Sequence, residues 1–105
     1  MKKVLYTLGV VATLASCSQI QPAKIVITQA DADRAKVTNA TATTETLLEG
    51  QKLYDQHCMK CHKFHPTQFG EKKWAKYMPE MANLAKIDQV TSDKILLYVS
   101  TFSKK

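Results

Sequence analysis

Apolar side chains in the second half of the chain fall into two helical stripes with a third, broken one between them. Leu47, Gly50, Tyr54 and Cys58 follow one another at spacings of 3, 4 and 4, which predicts a helix over residues 45–57. Gly50 lies inside that stripe, and a glycine on a helix face points to close backbone packing. Ile95, Tyr98, Val99 and Phe102 repeat at i, i+3, i+4 and i+7 and predict a final helix over 92–102. Thr91 suits its N-cap, with Val90 and Ile95 as the apolar pair that brackets a helix start. The middle stretch, 71–86, contains Trp74, Met78 and Met81 and is interrupted by Pro79, which pushes Met78 toward an extended backbone. No period-two alternation competes, so the predicted fold class is all-α, a small helical domain.

The first half reads differently. Lys2 and Lys3 precede a 12-residue apolar run, Val4 to Ala15, too short for a membrane span of roughly 20 residues. It has the form of a cleaved export signal, residues 1–16. Leu14-Ala15-Ser16-Cys17 resembles a bacterial lipobox. The resemblance implies that Cys17 becomes the lipid-bearing N-terminus of the mature chain. Residues 17–43 are rich in Ala, Thr and Gln and lack aromatics, so they are expected to form a flexible tether. The run Lys24-Ile25-Val26-Ile27-Thr28 stands out within it, either as an extended stretch or as a patch that packs on the domain. The domain proper is expected over 44–105.

Composition narrows the function classes. The chain has 105 residues and a formal net charge of +6, from 15 basic and 9 acidic residues. Removing Lys2 and Lys3 with the signal leaves a mature charge near +4. No aromatic-interleaved basic patch accompanies that charge, which argues against a nucleic-acid role. A folded part of near 60 residues is marginal for a self-supporting core, so a cofactor or staple is expected.

Cys58-Met59-Lys60-Cys61-His62 meets that expectation. It is C-x-x-C-H, the attachment pattern of c-type haem. Two thiols three positions apart can each add to a vinyl group of one porphyrin, and the next residue, His62, then supplies an imidazole to the iron. A thioredoxin-type pair would follow a strand in a βαβ unit, which the pattern lacks. A structural zinc site wants four ligands; His57 and His65 are near in sequence, but no second C-x-x-C exists. A structural disulfide would leave His62 unexplained. The export signal agrees with haem, because c-type haem is attached outside the cytoplasmic membrane. The three cysteines divide into one for lipid and two for haem.

The order of helix, C-x-x-C-H, loop, Trp/Met segment and Tyr-bearing final helix resembles the small monohaem class I cytochromes c. The phrases Leu48-Glu49-Gly50-Gln51-Lys52-Leu53-Tyr54-Asp55-Gln56-His57-Cys58 and Thr91-Ser92-Asp93-Lys94-Ile95-Leu96-Leu97-Tyr98-Val99 carry the likeness, over about 60 residues. It implies a close crossing of the first and last helices, with packing roles for Gly50 and Tyr98. It also implies that the Met of the Trp74-x6-Met81 segment is the second iron ligand. Met78 is the alternative, then His57, His65 or an open site; both methionines also suit core filling. Met59, between the cysteines, cannot easily reach the far side of a haem. The Pro66 carbonyl is the candidate acceptor for the His62 Nδ1–H, and His65 reads as a surface residue.

Iron held by His62 and Met81 has no open position, which favours one-electron transfer over catalysis. The expected function is an electron carrier with one haem c, lipid-anchored on the periplasmic side of a bacterial membrane. The rivals are an electron-relay subunit of a larger oxidoreductase and an open-site haem enzyme or sensor. Lys60, Lys63, Lys72, Lys73 and Lys76 cluster in sequence around the site. They are either an ordinary solvated surface or a positive ring that steers acidic redox partners. No small-molecule substrate is expected.

Overall fold

The computed structural model of the chain describes residues 24–60 and 64–105. These described residues form four helices, α1 (Gln29–Ala35), α2 (Thr44–His57), α3 (Glu71–Ala85) and α4 (Gln89–Thr101), with a 3-10 turn at Pro66–Gln68. Among the described residues there is no strand, only an isolated bridge between Gly70 and Lys104. The all-α class expected from the periodicity is the one observed.

Local chemistry sets the helix starts. Thr28 and Thr43 open α1 and α2 with reciprocal capping boxes to Asp31 and Thr46, which satisfy backbone N–H groups that have no partner within the helix. The Asp88 side chain caps α4 by accepting from the Thr91 N–H at 2.8 Å. The last helix therefore begins three residues before the predicted start, and Asp88, not Thr91, is its cap. Val90 falls inside the first turn and is 63% exposed, so it does not pair with the buried Ile95.

Pro79 does not interrupt the middle segment. α3 runs through it, and Met78 is helical. Proline deprives the carbonyl four residues back, that of Ala75, of its intrahelical donor. Both Pro79 and Ala75 are exposed, so water can replace the lost bond. Trp74, Met78 and Ala82 meanwhile bury one face of the helix. Lys86 ends α3 in the left-handed conformation at φ 56°, its N–H turned back to the carbonyls of Ala82 and Asn83.

The core lies where α2 and α4 cross. Tyr54, Trp74, Met78, Ile95, Tyr98 and Val99 form its buried cluster. A Cβ added at Gly50 would stand 2.4 Å from the Lys94 carbonyl oxygen and 2.8 Å from Tyr98 Cβ. The two backbones thus touch through the glycine, as the helical stripe and the family resemblance led one to expect. The Lys94 Nζ–Glu49 Oε1 ion pair at 2.6 Å bridges the same crossing at the surface.

The expected tether is the largest correction. From Lys24 onward the chain lies on the domain. Ile25 and Ile27 pack against the core while Val26 between them is 82% exposed. Buried Gln51 donates from Nε2 to the Ile25 carbonyl at 2.8 Å. α1 follows, and Ala32, Ala35 and Ala42 close a second small cluster around Leu47. Arg34 ties α1 to the end of α4, donating to the Thr101 carbonyl at 3.3 Å with its guanidinium 5.7 Å from the Phe102 ring centre. Low bulk hydrophobicity suggested disorder. Alanine, however, lets helices approach closely with little side-chain entropy to lose, and two capping boxes supply the starts.

Candidate functional site

Cys58 is the C-cap of α2, its N–H bonded to the Tyr54 carbonyl at 2.9 Å. The helix puts it one turn beyond Tyr54, on the stripe that faces the core, and it is half-buried against that cluster. Met59 is half-buried there too, while Lys60 is exposed. Cys61, His62 and Lys63, like Cys17, lie outside the described residues.

The chain on the far side of the motif is held by two aromatic side chains. Tyr54 donates its hydroxyl to the Phe64 carbonyl. Trp74 donates its indole N–H to the Pro66 carbonyl at 2.9 Å, and that bond is buried. α2 and α3 thus each reach across to fix a backbone oxygen just after the motif. The Pro66 carbonyl proposed from sequence for His62 already accepts from Trp74; a carbonyl has two lone pairs, so it retains capacity for a second donor.

The same residues build an aromatic wall. The ring centres of Phe64 and Phe69 lie 5.1 Å apart, Phe69 and Trp74 5.3 Å, Trp74 and Tyr54 6.1 Å, and Tyr54 and Tyr98 5.7 Å. The first three pairs are edge-to-face, the arrangement ring quadrupoles favour. Burial, reinforced by the neighbouring Cys58, pushes the Tyr54 hydroxyl far above its usual pKa, so it stays a neutral donor. Burial also raises Tyr98, with the Gln51 hydrogen bond partly opposing it.

The two candidate methionines separate clearly. Met78 is 5% exposed and belongs to the core cluster with Tyr54 and Trp74. Met81, nearly one turn on, is half-buried and outside that cluster. His57 is half-buried at the end of α2. His65 caps the 3-10 turn, its Nδ1 2.7 Å from Thr67 Oγ1, so its ring is engaged locally. Among the described residues no group of three or more His, Cys, Asp or Glu side chains could hold a metal ion. Lys72, Lys73 and Lys76 are exposed along one side of α3, with Lys73 Nζ 4.4 Å from the Phe69 ring centre. Sequence reasoning passed over Phe64, Phe69 and Gln51. Only the apolar character of the two phenylalanines beside the motif could have signalled them; nothing local marks Gln51.

The donor set suits a covalent haem. A half-buried thiol at a helix end stands beside apolar and aromatic side chains that can keep water from a porphyrin, and the second thiol and the imidazole follow it in sequence at the C-x-x-C-H spacing. Among the described residues no helix is long and apolar enough to cross a membrane. No curated protein and no solved structure gives a significant match to the chain. Residues 1–18, which include Cys17, match the model of the prokaryotic membrane lipoprotein lipid attachment site, and mark the chain as an exported lipoprotein held at a bacterial membrane by a lipid anchor.

Proposed function

We propose that this lipoprotein is a c-type cytochrome that carries single electrons on one covalently attached haem. The observation that carries this reading is the place of Cys58, the first residue of Cys58-Met59-Lys60-Cys61-His62, at the end of α2 and half-buried against the aromatic core. Cys58 and Cys61 would hold the haem as thioethers, with His62 as the proximal ligand and Cys17 as the lipid-bearing residue. Bound there, haem c supplies one-electron exchange between ferrous and ferric iron.

The other residues position and protect. Tyr54 and Trp74 order the chain that follows His62 by holding the Phe64 and Pro66 carbonyls. Phe64, Phe69 and Trp74 present apolar edges that exclude water. Met78 is already committed to the core; Met81, on the same helix and only half-buried, is the methionine left with freedom to act as the second ligand. The exposed lysines of α3, with Lys60, give acidic redox partners a positive surface that raises the encounter rate more than the affinity.

The reading is tested by producing the full chain in a bacterium with c-type haem maturation and staining for haem after denaturing electrophoresis. The wild-type band should keep its haem, and Cys58→Ala with Cys61→Ala should lose it. A wild-type band without haem would rule the proposal out.

A further inference from the structure

We infer that the folded domain rests on the bilayer itself, with residues 24–28 as its membrane-facing strap and lipid headgroups as the surface it contacts. The argument rests on Cys17 bearing the lipid and is independent of the haem.

The strap is docked from one side only. Ile25 and Ile27 point into the domain and the Gln51 amide holds the Ile25 carbonyl at 2.8 Å. Lys24, Val26 and Thr28 alternate with them and are exposed, Val26 at 82%. An apolar side chain beside a lysine on the outer edge of a strap suits the headgroup region, where both groups find partners.

Chain length then limits the separation. Cys17 and Ile25 are eight residues apart, so at full extension the lipid-bearing residue and the docked one are at most roughly 29 Å apart. A tether running to residue 43 would allow roughly 95 Å on the same measure. The permitted gap is thus close to the length of α2, 14 residues or roughly 21 Å. Gln51 and Cys58 are seven residues apart on α2, roughly 10 Å along its axis. With roughly 10 Å more for the reach of the Gln51 side chain to the Ile25 carbonyl, Cys58 therefore stays within roughly 50 Å of the anchor. The motif thus stays near the membrane surface, and the chain length excludes this domain as a carrier that itself crosses a wide aqueous gap.

Neutron reflectometry of the lipidated full chain in a supported bilayer of phosphatidylethanolamine and phosphatidylglycerol tests this. The protein layer should abut the headgroups. Inserting about 20 Gly and Ser residues between Gln21 and Pro22 should leave the layer against the headgroups, because the strap and not the linker holds it there; an outward move of roughly 25 Å, the added reach of such a linker, would overturn the inference. Lys24→Glu with Val26→Asp, at positions the fold leaves exposed, should open a solvent gap while helix content stays unchanged. A wild-type layer already separated from the headgroups, or no shift in the charged variant, would overturn the inference. Neither result depends on haem, so failure here leaves the electron-carrier reading standing, and loss of haem leaves this one standing.

Discussion

Replacing Gly50 with alanine is the most direct probe of the helix crossing. The added Cβ would lie 2.4 Å from the Lys94 carbonyl oxygen, against 3.4 Å for ordinary contact. The obstacle is backbone, which cannot rotate aside, so α4 must move by about 1 Å, taking Ile95, Tyr98 and Val99 with it. Overpacking of this kind costs about 1–3 kcal/mol, and the rigid contact places it toward the upper end. Alanine returns up to about 1 kcal/mol through its better helix propensity. The net loss is about 1–2 kcal/mol, equivalent to a fall of roughly 5–15 °C in Tm for a domain this small. Thermal unfolding followed by far-ultraviolet circular dichroism measures it. Tyr98→Ala should not rescue the variant, because the clash is with a backbone oxygen and with Tyr98 Cβ, which alanine retains. An unchanged or raised Tm in Gly50→Ala would refute the close crossing.

Trp74→Phe removes the donor to the Pro66 carbonyl and should cost about 1–3 kcal/mol in chemical denaturation, since the acceptor is left buried. Met78→Ala should destabilise by about 2–5 kcal/mol as a core truncation, whereas Met81→Ala should cost less in the same denaturation and instead remove the sulfur–iron absorption band. Asp88 donates nothing and accepts from Thr91, whose hydroxyl and N–H hold its carboxyl below the usual range. Its capping contribution is therefore present above the ordinary carboxylate pKa and is lost as pH falls through the lowered folded value. Asp88→Asn keeps an accepting oxygen without the titration, so its Tm should depend less on pH below about 4 in a pH series of melts.

Helix order, the class of the fold and the Gly50 contact were legible because each is written locally. Leu47, Tyr54, Ile95 and Val99 mark buried faces by their period, and a lone glycine among them has few other uses. Capping was less legible. Thr91 and Asp88 are both good caps, and only the packing of Ser92 and Ile95 decides which starts α4. Pro79 misled because the local rule forbids an interior proline, while the tertiary contact of Trp74, Met78 and Ala82 carries the helix past it. Residues 29–43 were misread because alanines contribute little to a hydropathy count yet fit tightly around Leu47. For the site, the spacing of Cys58, Cys61 and His62 is explicit in the sequence, but the hold of Tyr54 and Trp74 on Phe64 and Pro66 joins residues 8 to 10 apart through a turn. No sequence period encodes such a contact.

The central claim, a haem iron closed by two protein ligands and used for electron transfer, is tested most directly by the absorption spectrum of the purified full chain. The account predicts a low-spin ferric form with the methionine sulfur-to-iron charge-transfer band, and a reduced form whose spectrum does not change when carbon monoxide is added. High-spin ferric haem that binds carbon monoxide readily on reduction would contradict it and point to an open-site enzyme or sensor.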